Sequence, residues 1–206
     1  MEWPLLPNKT IYTDWHRTFP ESGKGKQYPW LLDKIMQNQT QYSNPKLRKS
    51  EKAKRWQTFL DYGCGKGGTA EWLRSLIKHT IEIDLYDPGH EPYRDTPLRE
   101  RYDVVYSCDV LEHIEREDIK RVLAHTQSLA DANLHIIDMT PAKKQLPDGR
   151  NAHITLLDKH EWIAVFEAQE HEIEEVFPYS QPDPLFNTRD RVCIWTRRSK
   201  EYTKRS

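Results

Sequence analysis

The sequence predicts an α/β protein with a mostly parallel sheet and an antiparallel hairpin at one edge. Three observations lead there. Short apolar strands alternate with segments of helical period, the signature of βαβ units. A glycine-rich turn follows the first of those strands. Two closing strands have no helix between them, which calls for antiparallel pairing.

The elements can be taken in order. Residues 1–45 carry Pro4, Pro7, Pro20, Pro29 and Pro45, which break any long helix. Trp3, Trp15, Phe19 and Trp30 are too many large apolar groups for a free tail, so residues 1–55 are expected to dock as an N-terminal cap, with a short helix near 30–37 and another over 45–54. Thr58 to Asp61 reads as a buried strand, closed by Gly63-Cys64-Gly65-Lys66-Gly67-Gly68. Ala70, Leu73, Leu76 and Ile77 mark a helix over 69–78. Ile81, Ile83 and Leu85 alternate with polar residues in a strand over 80–87, ended by Pro88-Gly89. Strands follow at 102–107 and 134–138, with a helix at 117–129 between them. A long loop covers 140–157, a helix 159–169, and strands 172–177 and 191–196 close the fold, with Pro178, Pro182 and Pro184 between them. The main domain spans 56–198 and a basic tail 199–206.

Composition narrows the class. The 206 residues are 31% charged and 36% hydrophobic, yet 11% aromatic, with seven Trp, which argues against disorder. No stretch approaches the ~20 apolar residues that cross a bilayer, so no membrane partner is expected. The start, MEWPLLPNKT, lacks the pattern of a signal peptide. Three Cys without C-x-x-C spacing fit a reduced, cytoplasmic setting and no metal site. Net charge is −1, but residues 46–55 hold six basic residues and one acid, and residues 197–206 hold five and one. These runs are solvated faces or a surface for nucleic acid, which salt dependence of binding separates.

In parallel sheets of this kind the ligand crevice lies at the carboxyl ends of the strands. Asp61, Asp87, Asp109 and Asp138 end four predicted strands and are expected to converge there. The glycine run alone matches a dinucleotide turn. Asp61, two residues before it, argues against a pyrophosphate: like charges ~4 Å apart repel by about 4 kcal/mol at an effective dielectric near 20. The same carboxylate favours an ammonium or a sulfonium, and S-adenosylmethionine carries both. Asp87, 20 residues beyond Gly67, is placed to accept ribose hydroxyls, ahead of mid-strand Asp84.

Phe59-Leu60-Asp61-Tyr62-Gly63-Cys64-Gly65-Lys66-Gly67 resembles motif I of class I S-adenosylmethionine-dependent methyltransferases. Leu85-Tyr86-Asp87-Pro88 resembles the acidic strand end that follows it, and residues 102–114, with Val110-Leu111-Glu112-His113, resemble motif IV. The resemblance covers roughly 57–140. It implies a Rossmann-like sheet and S-adenosylmethionine as cofactor. Asp61, Gly63, Cys64, Gly65 and Gly67 would embrace its methionine part and Asp87 its ribose, with Cys108 and Asp109 nearby. One departure stands out. Only about fifteen residues separate Asp87 from Tyr102, too few and too proline-rich for the usual helix and strand, so the sheet should be one strand short there, and Asp95 or nearby backbone is the candidate for adenine.

The methyl acceptor is open among small molecules, nucleotides or nucleic acids, and protein side chains. His153 and Asp138 are the candidate bases, and packing is the competing role for His153. If the cap folds over the pocket, His16 would line it and Tyr12 and Trp15 would form a lid or stack on the acceptor, with core packing as the competing role. A catalytically silent binder of the same cofactor is the rival reading, and a nicotinamide-dependent oxidoreductase a weaker one.

Overall fold

The computed structural model describes residues 9–19, 23–43, 55–77, 81–169, 171–183, 185 and 187–197. The basic run at 46–54, the helix expected over 45–54, and the tail beyond Arg197 lie outside them. Helices α1 (Lys9–Thr18) and α2 (Pro29–Ser43) precede the sheet. Then come β1 (Thr58–Tyr62), α3 (Gly68–Leu76), β2 (Glu82–Tyr86), the single turn α4 (Glu91–Arg94) and β3 (Tyr102–Cys108). A 3-10 turn at Leu111–His113 leads to α5 (Arg116–Leu129), β4 (Ala130–Asp138), α6 (Lys159–Glu167), β5 (Glu172–Asp183) and β6 (Asn187–Arg197). Among the described residues no helix is long and apolar enough to cross a membrane.

The six strands order as β2-β1-β3-β4-β6-β5. β1 to β4 run parallel, and β6 pairs antiparallel with both β4 and β5. The sheet ends at β2, and α4 with its flanking turns fills the short link to β3, as the proline-rich spacing predicted. Alternation along the strands sorts the core into two layers. Leu60 and Val105 face Ile119 and Leu123 of α5 and Trp162 and Phe166 of α6. Phe59 and Val104 face Leu31 and Ile35 of α2 and Ala70 and Leu73 of α3. A capping box starts α6: the Glu161 amide donates to Asp158 Oδ1 at 2.8 Å, and the Asp158 amide to Glu161 Oε2 at 2.9 Å.

Three elements depart from the sequence reading. The prolines near the N-terminus delimit helices: α1, which the sequence did not announce, lies between Pro7 and Pro20, and α2 contains the helix expected near 30–37 and extends it to 29–43, with Pro29, whose φ suits a first turn, at its start. α2 is held by its Trp30 indole, which donates to Glu175 at 3.3 Å, and by an ion pair from Lys34 to the same carboxylate. β5 runs through Pro178 and Pro182, which had been expected in a loop. It is the edge strand, and the two prolines, four residues apart, share the side whose amides need no partner. β4 begins at Ala130, directly after α5 and four residues before the expected strand at 134–138, whose apolar pattern Asp131 and Asn133 interrupt.

Candidate functional site

All four parallel strands end at one edge of the sheet, and a cavity of about 600 Å³ opens there. That lies within the range of small-molecule sites. Its floor is the turn after β1. Gly63, Gly65 and Gly67 all have positive φ, and Gly65 shows why a side chain is excluded: at φ +54° its Cβ would lie 2.4 Å from the Gly23 carbonyl oxygen. The amides of Gly63 and Cys64 donate to the Tyr86 carbonyl at 2.8 and 3.1 Å, so the turn is tied to the end of β2.

Residues 23–26 lie across this turn as a strap. The Lys66 amide donates to the Gly23 carbonyl at 2.6 Å, and the Thr69 hydroxyl donates to the Lys26 carbonyl at 3.2 Å. A Cβ on Gly68 would sit 1.7 Å from the Lys24 carbonyl oxygen, so the contact requires glycine. The sequence signal was the run Gly23-Lys24-Gly25-Lys26, which the sequence reading did not use. α1 brings Trp15 and His16 to the cavity, while nothing is described of the Tyr12 side chain. The His16 ring stands 5.3 Å from that of His90. Burial lowers the His16 pKa against the pull of Asp87.

Asp61 is 2% exposed, and its Oδ2 has no hydrogen-bond partner among the described residues. Burial pushes its carboxyl up to about 7; the Tyr106 hydroxyl opposes the shift and the charge of Asp87 adds to it. Asp87 pins the turn. Its Oδ2 accepts the Gly65 amide at 2.7 Å, and its Oδ1 accepts the amides of Gly89 and His90 at 2.8 and 3.1 Å. A carboxylate offers about four acceptor positions, so three such bonds leave room for a further donor. Asp84 accepts from Arg99 and from the Tyr102 hydroxyl, at 2.8 and 2.9 Å, on the sheet surface. Cys64 and Cys108 line the cavity, and burial pushes both thiols up, out of the range of a thiolate nucleophile. Gly67 and Asp95 do not line the cavity.

The opposite wall comes from the loops after β3 and β4. Asp109, at φ 53°, pairs with Arg191 at 3.0 Å and with Lys26 of the strap. Burial alone would raise its pKa, but the two cations outweigh it and hold the carboxyl well below the usual range. Asp138, expected as a base, is corrected by its surroundings. It is fully buried and does not line the cavity; Oδ1 accepts the Thr140 amide at 2.9 Å, and Oδ2 faces Arg189 at 2.5 Å and Arg191 at 3.2 Å. It anchors two arginines behind the cavity wall, away from an acceptor in the cavity. His153 does line the cavity. Its Nδ1 donates to the Thr140 carbonyl at 2.5 Å, which leaves the lone pair on Nε2. Burial pushes it down to about 4, against the pull of that carbonyl, so it is neutral at pH 7. His113 stands beside it, with Nδ1 donating to the Ala152 carbonyl at 2.7 Å, and burial with the neighbouring His153 also brings it to about 4. Behind them Glu112 is 0% exposed, and burial and the charge of Asp109 push its carboxyl well up. Sequence reasoning missed Arg189, Arg191 and Glu112 as parts of the site.

A glycine turn flanked by buried acids, at the open end of a doubly wound parallel sheet, marks a nucleoside-binding Rossmann-like protein. Residues 33–177 match the family described as Methyltransferase domain, and the chain belongs to that family. It is a class I S-adenosylmethionine-dependent methyltransferase, and S-adenosylmethionine is its methyl donor. Solved structures share the fold at low identity. A 1,6-didemethyltoxoflavin-N1-methyltransferase from Burkholderia thailandensis, solved with bound 1,6-didemethyltoxoflavin and S-adenosylhomocysteine, is 14% identical over 85% of this chain and 92% of that one, with a TM-score of 0.52. An S-adenosylmethionine-dependent methyltransferase from Clostridium acetobutylicum is 11% identical over 91% and 99%, also at 0.52. One from Methanosarcina mazei is 11% identical over 70% and 93%, at 0.51. A search of curated protein sequences found no match.

Proposed function

We propose that the methyl donor sits on the glycine turn, held by Asp61 and Asp87, and that the acceptor is a phosphate-bearing molecule, a nucleotide or nucleic acid, entering past His153. The donor half rests on Asp61: a buried carboxylate oxygen without a partner among the described residues, beside a cavity, fits the ammonium group of the methionine part. Asp87 keeps acceptor capacity for a ribose hydroxyl while it holds the turn. The bound donor supplies a methyl group on a positively charged sulfur and leaves as neutral S-adenosylhomocysteine. The chain's own part is alignment of the two partners and exclusion of water.

The single observation that carries the acceptor half is the placement of positive charge. Lys143 and Lys144 line the cavity on the side of His153, across from Asp61 and Asp87. Such focusing draws anions to a cleft. His153, neutral at pH 7, lines the same cavity with its lone pair on Nε2.

The test is transfer of labelled methyl to pooled nucleotides, RNA, DNA, peptides and neutral metabolites. Label is expected in a phosphate-bearing fraction. For a nucleic acid, binding should weaken with salt by a logarithmic slope of roughly 0.7 to 0.9 per phosphate contacted. Label confined to uncharged acceptors, with no salt dependence, would overturn the acceptor half and leave the donor half intact.

A further inference from the structure

We propose that Glu112, His113 and His153 hold one divalent metal ion on the acceptor side of the cavity, and that the ion takes a hydroxyl of the methyl acceptor. The inference deepens the reading above and rests on it for the methyl donor in the same cavity. One donor atom from each of the three side chains lies within 4.8 Å of the other two. The imidazole rings stand 4.8 Å apart at 86°. Each is fixed from behind by a backbone carbonyl, of Ala152 or Thr140, which only accepts. Each Nδ1 therefore carries the proton and each Nε2 the lone pair, the arrangement by which metal-binding histidines are oriented.

Glu112 supplies the independent observation. Its Oε1 accepts the Asp138 amide at 3.2 Å, but Oε2, in a residue 0% exposed, has no hydrogen-bond partner among the described residues. The ion pairs of the nearby cations go elsewhere: Lys26 and Arg191 to Asp109, Arg189 and Arg191 to Asp138. A buried carboxyl oxygen with neither donor nor cation holds a proton or takes a cation, and a metal ion bound by Oε2 would be that cation.

Two imidazoles and one carboxylate suit Zn²⁺, Mn²⁺, Fe²⁺ or Co²⁺ better than the all-oxygen preference of Ca²⁺ or Mg²⁺. Three protein ligands leave open positions, as in catalytic metal sites. His113 and His153 border the cavity that also contains Asp61 and the glycine turn, so an acceptor on the metal shares a chamber with the methyl donor. A divalent ion eases release of a hydroxyl proton to solvent, as it does for bound water, and leaves oxygen as the nucleophile. An amine or a carbon nucleophile gains no such help, which selects a hydroxyl.

The experiment strips the full-length protein with a chelator, titrates it with Mn²⁺, and follows free Mn²⁺ by electron paramagnetic resonance. The wild type is expected to bind one Mn²⁺ per chain. Glu112→Gln and His153→Asn should each weaken binding by about 100-fold, at or above the upper end of what loss of even an outer partner costs. S-adenosylhomocysteine affinity, measured by calorimetry on the same samples, should stay within about twofold and so reports folding; should one variant not fold, the other decides. Methyl transfer to the pooled acceptors should stop on chelation and return with Mn²⁺. Absence of stoichiometric Mn²⁺ in the wild type, undiminished affinity in a folded variant, or transfer indifferent to chelation would each overturn the proposal. Failure of the wild type to bind S-adenosylhomocysteine would instead overturn the reading of the donor site.

Discussion

Asp61→Asn keeps the side chain's shape and removes its charge, so two opposite effects should separate. Without ligand, burial raises the Asp61 carboxyl from 3.8 to about 7, with the Tyr106 hydroxyl opposing and Asp87 adding. A raised acid holds its proton in the folded protein after the unfolded chain has lost it. Stability therefore falls as pH rises from about 4 to about 7 and is level above. The gap of about three pH units amounts to roughly 4 kcal/mol. The Asn amide has its own burial penalty of about 1–3 kcal/mol, so the variant without ligand is expected to be about 1–3 kcal/mol more stable than wild type above pH 7. Ligand affinity should move the other way. A hydrogen bond to a charged group contributes about 1.5–3 kcal/mol, so S-adenosylhomocysteine should bind about 10- to 150-fold more weakly. Wild-type affinity should rise with pH between 5.5 and 7 as Asp61 ionises, by at most about tenfold per unit, while the variant's stays flat. Calorimetric titration across that range, with urea unfolding at pH 5 and 8, reads both effects. A variant that binds within twofold of wild type, or a wild-type affinity flat in pH, refutes the pairing of Asp61 with an ammonium group.

Further predictions follow from the site and the core. Gly65→Ala places a methyl 2.4 Å from the Gly23 carbonyl at φ +54°, so it should lower stability by at least about 1–2 kcal/mol and weaken S-adenosylhomocysteine; unchanged thermal unfolding and affinity would remove the strap from the account. Asp138→Asn leaves Arg189 and Arg191 short of a buried anion and should destabilise by about 3–5 kcal/mol without shifting the pH profile of turnover; a stable variant with a shifted profile would restore Asp138 as a base. His153→Ala should reduce turnover by about 10²-fold or more, and unchanged turnover in steady-state assays rules out its part in catalysis. Trp162→Ala empties a fully buried site between α6 and the sheet and should lose about 3–5 kcal/mol in urea unfolding; a loss under 1 kcal/mol contradicts the packing described.

The donor half of the site was legible because it is local. Asp61, Gly63, Gly65 and Asp87 lie on one βαβ unit, and strand ends, turn glycines and acids can be read from their spacing. The acceptor half was not. Asp138 ends its strand as expected, but its partners Arg189 and Arg191 come from an antiparallel strand some fifty residues later, and they turn a candidate base into an anchor. Glu112 and His113 lie in a motif that resembles its family, yet their nearness to His153 depends on a loop forty residues away that returns to the sheet. A metal search by cysteine spacing could not find such a set. The prolines misled for a related reason: what a proline permits in β5 depends on that strand lying at the edge, which pairing partners decide.

The order of strands, the glycine turn and the acids at the strand tips were determined by the sequence itself, because hydrophobic period and turn chemistry act between near neighbours. The tertiary structure alone decided which buried charges meet. It laid residues 23–26 over the turn, committed Lys26, Arg189 and Arg191 to Asp109 and Asp138, and left Asp61 and Glu112 each with a buried oxygen that no described residue pairs. Electrostatic partnership depends on distance and on exclusion of water, and both exist only once remote segments have packed together.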